Sequence, residues 1–275
     1  MTTIDDTEIL ARRIPLEGTL NVRDIGGYVT HDGRVVARRK VLRGDAVHMV
    51  DDQGRELLTQ LPLRTSIDLR ELDERTSAPD RLNADAQLIS IPLFTYRQDD
   101  DELVDRAQFS TLDDVYRFLV SQRGPAVAEV LRQLAQPATM PALVHCTGGK
   151  DRTGVVIALL LSLLGVPDDV IARDYEATSL FLTPAFHEAI LARAEAAGQD
   201  RESFVAMLGC ESYLIYGVLS TVRATHGDVE SYLVAHGLST EEVGRLREML
   251  LEDGDGEPAH SVSGSSLETE GGSDV

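Results

Sequence analysis

Apolar positions fall into three regimes along this chain. From residue 34 to residue 93 they come in short runs broken by charges. "RVVARRKVLRGDA" predicts one or two short strands ending near Arg43, "TSIDLRE" a strand with Ile67 and Leu69 alternating, and "AQLISIPL" another closed by Pro92. Between them "DDQGRELLTQLP" predicts a short helix that stops before Pro62. From residue 110 the period lengthens. Ser110 followed by Asp113 is positioned to cap a helix through "LDDVYRFLV", and Gly124-Pro125 breaks it and opens the next one, which ends before Pro137. "ALVHC" is a short apolar run of strand type, and "RTGVVIALLLSLLG" is so uniformly apolar that it predicts a buried helix. Gly165 stops it and Pro167 starts the next. From Pro167 to about Leu250 the pattern is helical throughout, ending in a helix with a capping box, Ser239 with Glu242, and an apolar face of Val243, Leu246 and Leu250.

Strands separated by helices, followed by an all-helical half, predict an α/β fold: a central, mainly parallel sheet flanked by helices, with helical C-terminal additions. The paired glycines Gly26 and Gly27 mark a turn. Residues 1–13 are polar and read as a flexible arm, 14–251 as the folded domain, and 252–275 as an acidic tail with too little apolar surface to repay ordering. "FTYRQDDDELVDRAQFS" has no period over most of its length and is acidic; it reads as a solvated loop or as a mobile lid beside a site.

The 275 residues suffice for one sizeable α/β domain or two small ones. A formal net charge of -20 argues against non-specific binding to nucleic acid or acidic membranes. The two cysteines, Cys146 and Cys210, are far apart, which excludes a disulfide scaffold or a zinc cluster. The N-terminus lacks the apolar core of a signal peptide, and the longest apolar run, Val155 to Leu164, is short of the ~20 residues that cross a bilayer. A cytoplasmic protein is expected, without stable membrane insertion; export by a route lacking such a signal stays open, as does the oligomeric state.

The chemistry concentrates in "LVHCTGGKDRTGVV". With "ALVHC" as a strand and Arg152 at the start of the buried helix, Cys146 to Arg152 becomes a loop from the C-terminal end of a strand to a helix N-terminus, where α/β sheets bind ligands. Gly148 and Gly149 let the backbone curl so that successive N–H groups form an anion nest, reinforced by the helix dipole. Cys146 lies at its base, and Arg152 can clamp two phosphate oxygens bidentately. Covalent catalysis through a cysteinyl-phosphate follows from such a set. A nucleotide-binding Walker loop does not fit, because Gly149-Lys150 is followed by Asp151 and the first glycine position holds Val144. A Cys-His protease with a histidine brought by the fold, or a sulfur-transfer enzyme using the loop cysteine, stays open, while the arginine six positions after Cys146 favours phosphate. The only lysines are Lys40 and Lys150, so Lys150 in this loop is unlike surface filler.

"HCTGGKDRTG" carries Cys-x5-Arg-Thr and resembles the protein tyrosine phosphatase superfamily, in the form found in its atypical bacterial tyrosine and lipid phosphatase branch. "NVRDIGGY", "VLRGD" and "IDLRELDE" resemble the same branch in the same order. The resemblance spans roughly residues 16 to 250. It implies that Cys146 is the nucleophile and Arg152 the phosphate clamp. Thr147, Gly148, Gly149 and Lys150 would surround the phosphate. Thr153 would give its hydroxyl to the thiolate, and no metal or other cofactor is needed. Asp151 would be the general acid, with Asp99, Asp100 or Asp101 of the acidic segment as the lid-borne alternative. His145 would set the loop's geometry while pointing away from the nucleophile. Asp68 and Arg70 would form a buried pair supporting the loop, or Asp68 would touch substrate or water. Arg23 and Asp24 read as structural, and Cys210 as a core thiol in a helix.

The implied activity is hydrolysis of phosphotyrosine, with phosphoserine and phosphothreonine as additions. A phosphoinositide or inositol phosphate phosphatase is the alternative, for which Lys150 at the loop rim would meet a further phosphate. A catalytically silent phosphate-binding module is the reading from another class.

Overall fold

A computed structural model describes residues 4–82, 85–95, 109–196, 198, 200–205 and 207–254. In chain order the elements are α1 (Asp6–Leu10), β1 (Arg23–Asp24), β2 (Val35–Val36), β3 (Val41–Gly44), α2 (Asp52–Gln60), β4 (Thr65–Asp68), α3 (Leu72–Ser77) and β5 (Gln87–Ser90). Then come α4 (Leu112–Gln122), α5 (Gly124–Leu134), β6 (Ala142–His145), α6 (Asp151–Leu163), α7 (Asp168–Glu176) and α8 (Thr178–Phe181). The chain continues through α9 (Pro184–Ala196), α10 (Arg201–Val205), α11 (Tyr213–His226), α12 (Val229–Ala235), α13 (Thr240–Leu250) and β7 (Leu251–Glu252).

The main sheet has the order β1-β3-β6-β4-β5, and all its pairs but β1–β3 are parallel. This is the mainly parallel α/β arrangement that the alternation of short strands and helices predicts. β6 lies at its centre, and all four of its residues are buried, as a strand covered on both faces must be. Val155 to Leu161 of α6 are all buried, so its lack of a polar face is explained by its place in the core. Each such Leu or Val stabilises the fold by about 1.5–3 kcal/mol. The same core cluster takes in residues of α4, α5, α11, α12 and α13.

Several local expectations change. Residues 6–10 of the expected flexible arm form α1, capped by Asp5, because Ile4 and Ile9 are buried in the core. The cap of α4 is Thr111 with Asp114, one residue past the Ser110 and Asp113 of the sequence reading. Both pairs have the same spacing, and packing of Leu112, Val115 and Leu119 decides between them. Leu251 and Glu252 pair with β2, so the chain leaves the last helix as a strand rather than as tail. Cys210 lies in the turn before α11, half-buried, not within a helix. Asp99, Asp100 and Asp101 lie outside the described residues.

Candidate active site

Parallel register places the C-terminal ends of β3, β6 and β4 side by side, with Gly44 and Asp68 both opposite His145. The loop from Cys146 to Lys150 leaves this edge. Cys146 is only 3% exposed. Three successive carbonyls of the loop are turned away from it and held from outside. Thr147 O accepts from the backbone N–H of Ala46 (3.1 Å), Gly148 O from Asn21 Nδ2 (2.9 Å) and Gly149 O from Arg43 Nη2 (2.8 Å). In a planar trans peptide the N–H points opposite to the carbonyl, so the N–H groups of Gly148, Gly149 and Lys150 face the other way, into the curl. Such a row of N–H groups can receive an anion, and the first turn of α6 adds the N–H groups that a helix start leaves without an intrahelical partner. Gly149 has φ +66°, and a Cβ there would come within 2.4 Å of the Gly44 carbonyl carbon, so a side chain is excluded.

Arg152 stands in the first turn of α6. Its two terminal nitrogens bond the two carboxylate oxygens of Glu74 on α3 at 2.6 and 2.9 Å. Glu74 is itself held by the N–H of Glu71 (3.0 Å) and accepts from the Thr147 hydroxyl. Burial alone would lower the Arg152 pKa, but the bonds and charge of Glu74 outweigh it and hold the guanidinium firmly charged. The Phe94 ring lies 5.5 Å from it. A Cβ placed at Gly148 would come within 3.3 Å of the Phe186 ring on α9. Thr153 is fully buried, and its hydroxyl has no hydrogen-bond partner among the described residues, so the expected bond to the Cys146 sulfur is not formed here.

The loop and the first turn of α6 thus bring together a buried cysteine, a row of backbone N–H groups and a firmly held guanidinium. A family model described as "Tyrosine phosphatase family" matches residues 14–252. The chain belongs to the tyrosine phosphatase family. It is similar to a tyrosine-protein phosphatase of Nostoc commune, 29% identical over 71% of this chain and 69% of that one. It also resembles the triple specificity protein phosphatase PtpB of Mycobacterium tuberculosis, 26% identical over 86% of this chain and 98% of that one. Among solved structures, P. aeruginosa TpbA is similar at 19% identity and a TM-score of 0.33, covering 54% of this chain and 81% of that chain.

In this tyrosine phosphatase Lys150 is not at an open rim. It is 6% exposed, and its ammonium donates to the carbonyls of Met207 and Gly209, both at 2.8 Å. It also lies 3.4 Å from Asp151 Oδ1. The lysine that the sequence reading sends toward a further substrate phosphate instead ties the turn before α11 to the phosphatase's loop. Asp151 is part-exposed, and its Oδ1 accepts from the Tyr116 hydroxyl of α4 at 2.9 Å.

Two buried charge clusters flank the phosphatase's loop. On one side Asp174 of α7 takes Arg23, Arg43 and the Tyr28 hydroxyl. Burial alone would raise the Asp174 carboxyl, but Arg23 and Arg43 outweigh it and hold it well below the usual carboxylate range. On the other side Arg70 bonds Asp68 through two nitrogens (2.9 and 2.8 Å) and Asp80 at 2.8 Å. This is the buried pair that the sequence reading expects of Asp68 and Arg70. His145 is fully buried, with Nε2 3.1 Å from Asp80 and Nδ1 3.3 Å from the Cys146 carbonyl oxygen. Burial alone would lower its pKa, but Asp80 outweighs this and raises it; burial would likewise raise Asp80, but His145 and Arg70 lower it. Asp68, Asp80 and His145 are close enough together to hold a metal ion, yet Arg70 already puts a guanidinium nitrogen on both carboxylates. We therefore assign no metal to this cluster.

Glu74, Asp174, Tyr116 and Arg43 were not singled out from the sequence. Glu74 and Arg43 do stand in two of the quoted stretches, "IDLRELDE" and "VLRGD", and Tyr116 in the predicted helix "LDDVYRFLV", but none of the three was given a role there.

Proposed function

We propose that this chain hydrolyses phosphotyrosine in proteins through a cysteinyl-phosphate on Cys146, with Arg152 as clamp and Asp151 as general acid and base. The observation that carries the reading is the row of three outward carbonyls, Thr147 to Gly149, which leaves the facing N–H groups to an anion above Cys146. The Cys146 thiolate attacks phosphorus, and the phosphoryl oxygens settle on these N–H groups and on Arg152. Glu74 holds Arg152 by two bonds, so the clamp is oriented before substrate arrives, which lowers the reorganisation needed in the transition state. Asp151 gives its proton to the leaving phenoxide oxygen as the P–O bond breaks. It then takes a proton from the water that attacks the cysteinyl-phosphate, and the thiolate leaves. Thr153, buried with an unpaired hydroxyl at the base of α6, is suited to support that leaving sulfur.

Phosphoserine and phosphothreonine are proposed as secondary substrates. A phosphoinositide preference loses its support, because Lys150 is spent on backbone carbonyls. The test compares turnover of a phosphotyrosine peptide, a phosphothreonine peptide and a phosphoinositide by the intact chain and by Cys146→Ser. The phosphotyrosine peptide should be the fastest, and the variant should lose all turnover while still binding phosphate. Turnover by Cys146→Ser overturns the mechanism, and no turnover of any substrate by the intact chain makes it a silent phosphate-binding module.

A further inference from the structure

Asp151 does not stand alone at the loop. Tyr116 of α4 is buried, and its hydroxyl lies 2.9 Å from Asp151 Oδ1 and 2.6 Å from the hydroxyl of Tyr175 on α7. The two rings meet edge to face with centroids 5.9 Å apart. Tyr175 is buried too, and Gly154 makes room for it: a Cβ at that position would lie 2.9 Å from the Tyr175 ring. The glycine closing "GKDRTG" thus serves the tyrosine pair and not the anion nest.

The hydroxyls have a forced direction. An ionised carboxylate only accepts, so Tyr116 must spend its single proton on Asp151. Tyr175 must then donate to Tyr116. When Asp151 is protonated on its other oxygen, Oδ1 still accepts as a carbonyl, so the same bond survives both protonation states. Burial, and then the charge of Asp151, push the Tyr116 phenol well above its ordinary range, so it stays a donor throughout the working pH range.

We propose that Tyr116, backed by Tyr175, is a positioning residue for the general acid: it pins Asp151 Oδ1 so that the transferable proton sits on Oδ2, toward the leaving group. The inference rests on the assignment of Asp151 as the acid made above. Among the described residues, the charged and titratable groups that interact with Asp151 include Lys150 from its own loop, Tyr116 from α4, Tyr175 from α7 and Cys210 from the turn before α11. Lys150 is fixed to carbonyls and Cys210 is kept protonated by burial, so neither replaces the tyrosine's hydrogen bond.

The experiment measures kcat and the pH profile of kcat/KM for Tyr116→Phe, Tyr175→Phe, Asp151→Asn and the double variant Tyr116→Phe/Asp151→Asn. Two substrates are used, an alkyl phosphate that needs a proton on its leaving group and an aryl phosphate with a good leaving group. Tyr116→Phe should lower kcat on the alkyl phosphate about tenfold and on the aryl phosphate less than about twofold. Its loss disfavours the ionised carboxylate more than the neutral acid, so the basic limb of kcat/KM should move up by about half a pH unit. Tyr175→Phe should show a smaller shift in the same direction, and Tyr116→Phe should add nothing in the Asp151→Asn background. Equal losses on both substrates with an unmoved basic limb would make Tyr116 merely structural and overturn the proposal. If instead Asp151→Asn itself leaves the alkyl-to-aryl ratio unchanged, the assignment of the acid fails first, whatever Tyr116 does.

Discussion

The two charge clusters that flank the central strand differ in what they hold and in whether they titrate. The Asp174 cluster pairs one carboxylate with two guanidiniums, groups whose charges do not change over any ordinary working pH. It reaches the loop directly, because Arg43 also bonds the Gly149 carbonyl. The Asp80 cluster reaches the loop through His145, whose carbonyl is followed at once by Cys146. The difference teaches that one flank of the loop is held by groups that keep their charge, while the other carries a histidine whose charge depends on pH.

The sharpest way to break this contrast is Asp174→Ala. It leaves two buried arginines without their counter-charge, and should cost about 3–5 kcal/mol in a urea unfolding measurement. A loss below about 1 kcal/mol would mean that the cluster does not hold the fold. Asp80→Asn should cost less, about 2 kcal/mol at neutral pH, because Arg70 keeps Asp68. Its effect should depend on pH, and the sign follows from the shifts. His145 is raised, so its contribution is complete below the ordinary histidine value of about 6.5 and is lost as pH climbs through the raised value. Asp80 is lowered, so its contribution is complete above the ordinary aspartate value of about 3.9 and is lost as pH falls through the lowered one. The gap in unfolding free energy between the intact chain and Asp80→Asn should therefore narrow as pH rises above about 6.5, without closing, because Arg70 still bonds Asp80. Curves that stay parallel would remove the titrating flank. The smallest effect is expected for Arg43→Lys, which keeps the charge beside Asp174 but loses the second arm of the fork. Stability should change by less than about 1 kcal/mol, while phosphate affinity weakens about fivefold, by calorimetric titration.

What could be read from the sequence follows from how the molecule stores its parts. The proposed nucleophile, nest and clamp are contiguous, Cys146 to Arg152, and a strand-loop-helix pattern places them without knowledge of anything distant. The strands β3 to β6 and the buried α6 are legible for the same local reason. Glu74 and Asp174 are not, because each acts on residues far along the chain, and periodicity tells which face a side chain takes but not what it meets. Lys150 shows the opposite failure. A lysine in such a loop invites a ligand, yet here its buried ammonium is satisfied by two backbone carbonyls of the turn before α11. The capping slip from Ser110 to Thr111 is a tie between neighbours that local chemistry cannot break. The helix within the first thirteen residues was hidden because two isoleucines among many polar residues look like too little to bury.

The outward carbonyls of the loop have a consequence for modularity. Asn21, Arg43 and Ala46, which supply their donors, come from the first fifty residues and carry no chemistry of their own. Grafting the eight residues Cys146 to Thr153 onto another strand-helix junction would transfer every reactive group and still leave the peptide planes free to turn over. The transplanted loop would then keep its sulfur and lose its affinity for anions. The heritable unit of this site is accordingly the loop together with the N-terminal segment, Asn21 to Ala46, that holds its back.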